Sequence, residues 1–183
     1  MADADVRPAE PADAEELARI QITTWRAAYE RILPAEVLAG LDAAAIAGQW
    51  RDAIEHGLVF VATEGQWLVG FTAAGPAPES ESADASGNPP DDVSTVALVG
   101  TLLVEPRWAR RGHGGRLLAA AGTALRTTGA TRGIAWVPEA DPASLGFYRR
   151  AGWQPDGTVR TLDAGGRPLR ELRVTGELDL ELL

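Results

Sequence analysis

The stretch from Val93 to Leu125 constrains this chain more than any other. "VSTVALVGTLLVEP" (93–106) is a long apolar run, suited to a central strand buried on both faces. Pro106 ends it, because proline brings no N–H to a ladder. "WARRGHGGRLL" (108–118) follows, and Leu117, Leu118, Ala121 and Leu125 then mark one face of a helix that closes near Gly129. A strand that runs through a glycine-rich turn into a helix presents free backbone N–H groups at the positive end of the helix dipole. Gly112, Gly114 and Gly115 let a ligand approach the backbone, and Arg107, Arg110, Arg111 and Arg116 add fork-shaped donors for phosphate. Between residues 105 and 116 four arginines against one glutamate leave a local charge of +3, in a chain whose formal net charge is −9. The expected occupant is a phosphate or pyrophosphate; the alternative is an ordinary loop with solvated arginines.

The two common nucleotide motifs do not fit. A P-loop ends in Gly-Lys-Ser/Thr, and all 17 basic residues here are arginine. A dinucleotide fingerprint that used Gly112 and Gly114 needs glycine where Leu117 stands. With 183 residues the chain suits one domain, 1–183. It has no cysteine, so disulfides, thiolate metal sites and a cysteine nucleophile are excluded, and His56 and His113 form no recognisable metal-binding pair. No run reaches the ~18 apolar residues of a membrane span. The start "MADADVRPAEPADAEEL" is too acidic for a secretory signal, so a cytoplasmic protein without membrane attachment is expected. The acidic balance argues against nucleic acid and suits a cationic partner.

The remaining elements alternate clearly. Asp13 and Glu16 have the spacing of a capping box ahead of a helix carrying Leu17, Ile20, Trp25, Ala28 and Tyr29. A second helix is expected over 42–55, and "LVFVAT" and "WLVGFTAAG" around "EGQ" read as a β-hairpin. Residues 76–92, rich in Pro, Ser, Gly and acid, read as a mobile surface loop, with a substrate lid as the other reading. "RGIAWVPE" reads as a strand, and "DPASLGFYRRAG" as a short helix capped by Asp141. "WQPDGTVRTL" and "RPLRELRVTG" are strands around "DAGG", and the tail "GELDLELL" is either an edge strand or a frayed end. The order ααββ, βα, βα, ββ describes an α/β (α+β) protein with a mixed sheet and helices packed on it.

At this point the residues resemble the GCN5-related N-acetyltransferase (GNAT) family. Its pyrophosphate loop reads Q/R-x-x-G-x-G/A. Arg111-Gly112-His113-Gly114-Gly115-Arg116 carries the Arg and the middle glycine, and Arg116 departs from Gly or Ala at the last position. "DPASLGFYRRAGW" is similar to the family's N-x-x-A-x-x-F-Y-x-x-x-G-F: Phe147, Tyr148 and Gly152 match, while Asp141, Ser144 and Trp153 are substitutions. The resemblance runs from about residue 5 to 175. It implies a mostly antiparallel sheet of about seven strands flanked by about four helices.

What the resemblance implies chemically is direct transfer of an acetyl group from acetyl-CoA, as co-substrate and with no metal, to an amine of a small molecule or protein. The implied cofactor-binding residues are the backbones of Leu102, Leu103 and Val104, the loop residues Arg110, Arg111, Gly112, His113, Gly114, Gly115 and Arg116, then Asp141 and Tyr148. Tyr148 is also the implied general acid for the departing thiolate. For His113 the backbone is expected to matter and the ring not. Trp25 and Tyr29, with Trp50, are spaced to line an acceptor pocket; Trp136 and Trp153 read as packing.

Where many relatives carry a glutamate base on the central strand, this chain has Leu98. Water, Glu105, Glu139 or Glu30 are the substitutes, and some members of the family work through water alone. The alternative function is a non-catalytic CoA- or acyl-CoA-binding regulatory module of the same fold, which Leu98 favours and Phe147-Tyr148 oppose. Transfer of a larger acyl group, or transfer to oxygen, is a further reading that keeps the cofactor site. The resemblance also allows a homodimer through edge strands or the terminal hairpin.

Overall fold

A computed structural model describes residues 4–180. Seven strands form one sheet: β1 (Ala4–Pro8), β2 (Leu58–Glu64), β3 (Trp67–Pro76), β4 (Val96–Val104), β5 (Arg132–Pro138), β6 (Gln154–Asp163) and β7 (Pro168–Glu177). Their spatial order is β1-β2-β3-β4-β5-β7-β6, and only β4 and β5 run parallel. Four long helices, α1 (Ala14–Ala28), α3 (Ala43–His56), α5 (His113–Thr127) and α6 (Pro142–Arg150), are joined by two short ones, α2 (Ala35–Ala39) and α4 (Glu79–Ser82). No helix among the described residues is long and apolar enough to cross a membrane. The mixed, mostly antiparallel sheet and the four principal helices agree with the expectation from sequence.

Strand alternation sends side chains to two cores. Val59, Val61 and Phe71 meet Leu17 and Ile20 of α1 on one face. Ala97, Val99, Ala135, Val137 and Val174 meet Leu118 and Leu125 of α5, and Tyr148 of α6, on the other. Trp153 fills that second core, fully buried, and its Nε1 donates to Glu177 O at 3.0 Å. It lies against Gly133 of β5 and Gly176 of β7, where any Cβ would run into the indole. Leu178 is buried beside it, while residues 181–183 of the tail lie outside the described residues.

Four details depart from the sequence reading. β1 pairs antiparallel with β2, a strand that the polar N-terminal sequence did not signal. The Asp13 carboxylate caps nothing with Glu16. It accepts from Glu10 N at 2.8 Å and from both terminal nitrogens of Arg7, while Glu16 pairs with Arg19. β4 begins only at Val96 and is fully buried over Val96, Ala97 and Val99; its second half is open on one side.

The fourth departure is the segment 76–92, which is fastened to the sheet. Arg173 donates to Glu81 O and Ala83 O, Arg160 to Glu81, and Arg132 to Asp92, and Ser82 is buried. Its acids find arginines of β5 and β6, and its carbonyls an arginine of β7, none of which the segment's own composition reveals.

The tight seat of Trp153 predicts an asymmetry. Gly133→Ala should cost about 1–3 kcal/mol through overpacking and lower the thermal midpoint by several degrees. Gly75→Ala on β3, where nothing lies within 4 Å of the new methyl, should leave it unchanged. Calorimetric melting of both variants checks this.

Candidate active site

The parallel ladder between β4 and β5 lasts three pairs, Val96 with Arg132, Ala97 with Gly133 and Leu98 with Ile134. Beyond it the strands diverge. β3 pairs Ala73 with Thr101 but Ala74 with Val99, so Gly100 is an extra residue in β4. Such a bulge bends its strand. It also shifts the parity of β4, so that Leu102 and Val104 face α5 with Leu117 while Leu103 packs towards Phe71. The result is a cleft inside the sheet, walled by the second half of β4 and the end of β5.

The open edge of β4 has usable donors. Glu105 N donates to Val69 O at 2.9 Å, and Leu103 O lies against Gly70. Alternation therefore turns the main-chain N–H and C=O of Leu102 and Val104 towards the cleft, and those of Leu103 towards β3. Of the three backbones expected to contact ligand, two are free to do so.

The glycine loop starts where β4 ends. Arg110 has φ 62°, the one non-glycine residue with positive φ among those described, and Gly112 at φ 82° is the N-cap of α5. No backbone partner is seen among the described residues for the N–H groups of Gly112, His113, Gly114 and Gly115. The first ladder bond runs from Arg116 N to Gly112 O at 3.1 Å. Four such donors at a helix start have the geometry to receive an anion. Gly114 is small for a packing reason, since its Cβ would stand 3.1 Å from the Phe147 ring, whereas Gly115 has nothing within 4 Å.

The arginines divide into two groups. Arg107 pairs with Glu105 at 3.0 Å, and Arg111 pairs with Glu64 at 2.7 Å and lies over the Trp108 ring. Arg116 folds back to donate to Arg111 O at 3.1 Å, beside Gly112, and Arg110 is exposed. Glu64 was invisible to the count along the sequence. Adding it takes the local +3 to +2.

His113 corrects the sequence reading. Its ring is 1 % exposed, with Nε2 2.8 Å from Glu64 Oε2. An ionised carboxylate only accepts, so Nε2 carries a hydrogen, while Nδ1 has no partner among the described residues. The ring is thus a pin that fixes the loop to the end of β2. The His113 hydrogen bond, offset in part by desolvation and joined by Arg111, holds the Glu64 carboxyl below its ordinary range.

Tyr148 and Tyr29 approach the cleft from opposite faces, on α6 and just past α1. Burial, then the charge of Tyr29, pushes the Tyr148 phenol well up, so it keeps its proton at neutral pH. Tyr29 is pushed up to about 12 by burial and then by the Asp141 and Glu171 carboxylates. Trp25 lies 6.0 Å from the Tyr29 ring. Trp50 does not join them: it meets Phe71 edge-on at 4.7 Å and donates to Gln21 at 2.7 Å, in the core. Asp141 uses both carboxylate oxygens on Ser144, as the cap of α6.

The carboxylates considered as bases are differently occupied. Glu105 is clasped by Arg19 and Arg107, Glu139 pairs with Arg170 at 2.9 Å, and Glu30 is exposed, just past the end of α1. Sequence reading missed Glu64, Glu171 and Arg160, because each matters only through a partner distant in the chain.

Comparison with known proteins agrees with this geometry. The family model described as acetyltransferase (GNAT) family matches residues 15–153. The uncharacterized N-acetyltransferase YuaI of Bacillus subtilis (strain 168) is 28% identical over 144 residues, covering 79% of this chain and 76% of that protein. The PaiA N-acetyltransferase of Thermoplasma acidophilum, solved in complex with coenzyme A, superposes with a TM-score of 0.73 at 16% identity, covering 96% of this chain and 99% of that one. The ribosomal-protein-alanine N-acetyltransferase of Brucella melitensis gives 0.70 at 21% identity, covering 94% and 99%. At these identities the two solved structures share the fold.

The clasp on Glu105 makes a pH prediction. Burial pushes this carboxyl up, but hydrogen bonds and charge from Arg19 and Arg107 outweigh it, and the net displacement is downward. A lowered carboxyl stabilises the fold above its unfolded value and loses that contribution as pH falls through the folded value. Glu105→Gln should therefore cost about 1–2 kcal/mol at pH 7. The difference from the parent should shrink below about pH 4.5, as read from urea unfolding across pH.

Proposed function

Since the chain belongs to the acetyltransferase (GNAT) family and is an acetyl-CoA-dependent acetyltransferase, we propose that it moves an acetyl group to the amine of a small molecule or peptide by direct attack. The observation that carries this reading is the pairing of four N–H groups at the start of α5, without a partner among the described residues, with an open strand edge on β4, at the two ends of one turn. A pyrophosphate fits the first and an amide-bearing arm the second. Bound acetyl-CoA supplies the acyl thioester.

The rest is done by this chain's residues. Gly112, His113, Gly114 and Gly115 hold the pyrophosphate through backbone N–H, with Arg110 and Arg116 as the loop arginines that meet no carboxylate among the described residues; Arg111 contributes through Glu64 and its own carbonyl. The Leu102 and Val104 main chain holds the arm, and one of their N–H groups polarises the reacting carbonyl. Leu103 belongs to this segment through the sheet bonds that keep it straight. Tyr148, kept protonated by burial, gives a hydrogen to the departing sulfur. Asp141 orders the start of α6 and so the Tyr148 that it carries. Trp25 and Tyr29 line the acceptor side. Leu98 takes no proton, so the amine loses its proton to water in the cleft.

Two variants test the reading. Gly115→Glu sets a carboxylate at the loop without a clash, and should weaken acetyl-CoA binding at least about 10-fold by titration calorimetry, roughly 1.4 kcal/mol. Unaltered affinity overturns the loop assignment. Tyr148→Phe should lower kcat about 100-fold with the KM for acetyl-CoA unchanged. Retained kcat removes Tyr148 from proton donation, and absence of turnover in the parent with every amine tried, despite binding, leaves a CoA-binding module.

A further inference from the structure

The face of the sheet beyond α1 holds a carboxylate that the transfer chemistry above does not use. Register pairs Pro138 with Glu171 and Trp136 with Arg173, so β7 sends Glu171 and Arg173 to the face that carries Trp136. Arg173 is fully committed, with Nε on Asp156, Nη1 on the carbonyls of Glu81 and Ala83, and Nη2 on Thr158 Oγ1. Glu171 is not. It is 9% exposed, its Oε2 accepts from Arg160 Nε at 2.6 Å, and its Oε1 has no partner among the described residues.

Arg160 is shared. Its Nη1 reaches Glu81 at 2.8 Å, and its guanidinium lies 4.3 Å from the centroid of the Trp136 ring. One guanidinium between two carboxylates leaves a net charge of −1 on this cluster. That oxygen is not one of the fully buried atoms left without a partner, so it reaches solvent at the edge of a largely buried carboxylate, where a cation can complete it. The position suits an acceptor. Glu171 stands opposite Pro138, at the end of β5 that walls the cleft. Its charge, with that of Asp141, adds to burial in holding up the Tyr29 phenol. The turn of the β6–β7 hairpin leans on α2, where Gly165 meets Val37, and closes the recess from the side.

We propose that Glu171 determines acceptor specificity by receiving a positively charged group of the acceptor other than the amine that reacts. The distinction follows from chemistry: a carboxylate bound to the reacting nitrogen would stabilise its ammonium form and hinder attack, whereas one bound to a second cation only positions. The acceptor class is therefore an amine that bears a further ammonium or guanidinium group. The assignment rests on the acetyl-transfer reading.

The experiment compares α,ω-diaminoalkanes with monoamines of equal chain length, on the full chain with acetyl-CoA, for the parent, Glu171→Gln and Glu171→Asp. The parent should prefer a diamine at least 10-fold in kcat/KM, through KM. Glu171→Gln, which keeps an oxygen for Arg160, should abolish the preference while monoamine rates stay put, and Glu171→Asp should restore part of it. Monoamine turnover reports that the variant is folded. A parent without the preference, or a Gln variant that keeps it, overturns the assignment while transfer itself stands. If the parent acetylates no amine, the transfer reading has failed, and calorimetric binding of a diamine, lost in Glu171→Gln or not, still decides the role of Glu171.

Discussion

A parallel pair of strands that separates after three residue pairs is the constraint on which the rest of this structure depends. Backbone groups inside a sheet are ordinarily paired, and leaving a run of them open is tolerated only where something polar can reach them. Here the single extra residue Gly100 turns β4 away from β5, and the space between them becomes the cleft. The same bulge reverses the parity of β4. Leu98 and Leu103 consequently face one side, and Leu102 and Val104 the other, which settles which main-chain groups line the opening. A glycine there carries no side chain into the gap that it creates.

Around this cleft, arginine holds the pieces in place. Arg19 and Arg107 clasp Glu105 where the strand ends, so α1, β4 and the following turn share one carboxylate. Glu64 does the same for Arg111 and His113 across the glycine loop. In both cases a buried or half-buried acid takes two donors, and at Glu105 the bidentate Arg19 guanidinium supplies direction as well as charge. The loop can then present its N–H groups from a fixed backbone, and ligand binding does not have to order it first.

Much of this was legible from the residues. Apolar runs punctuated by Gly and Pro located β2, β3, β5, α5 and α6, because periodicity and turn chemistry act within a few residues. The glycine loop was legible for the same reason, as a local device. Three of the readings that went differently did so through a distant partner. His113 looks like a variable loop residue until β2 brings Glu64 to it. Trp50 has the spacing of a pocket residue, but Phe71 captures it. The acidic segment 76–92 offers little to bury on its own, and only the arginines of β5, β6 and β7 give it a seat.

The sequence by itself determined that a strand, a glycine turn and a helix would set free backbone N–H groups at a helix start, because that outcome needs only the covalent order of these residues. It determined the family through two short motifs. Tertiary structure decided which donors and acids are still available once folding has paired the rest. Arg110 and Arg116 remain at the loop, Leu102 and Val104 at the edge, and Glu171 opposite the end of β5 that walls the cleft. Pairing depends on distance in space, and apart from Arg107 beside Glu105 the arginines and acids that decide this site find partners 11 to 86 positions away in the chain.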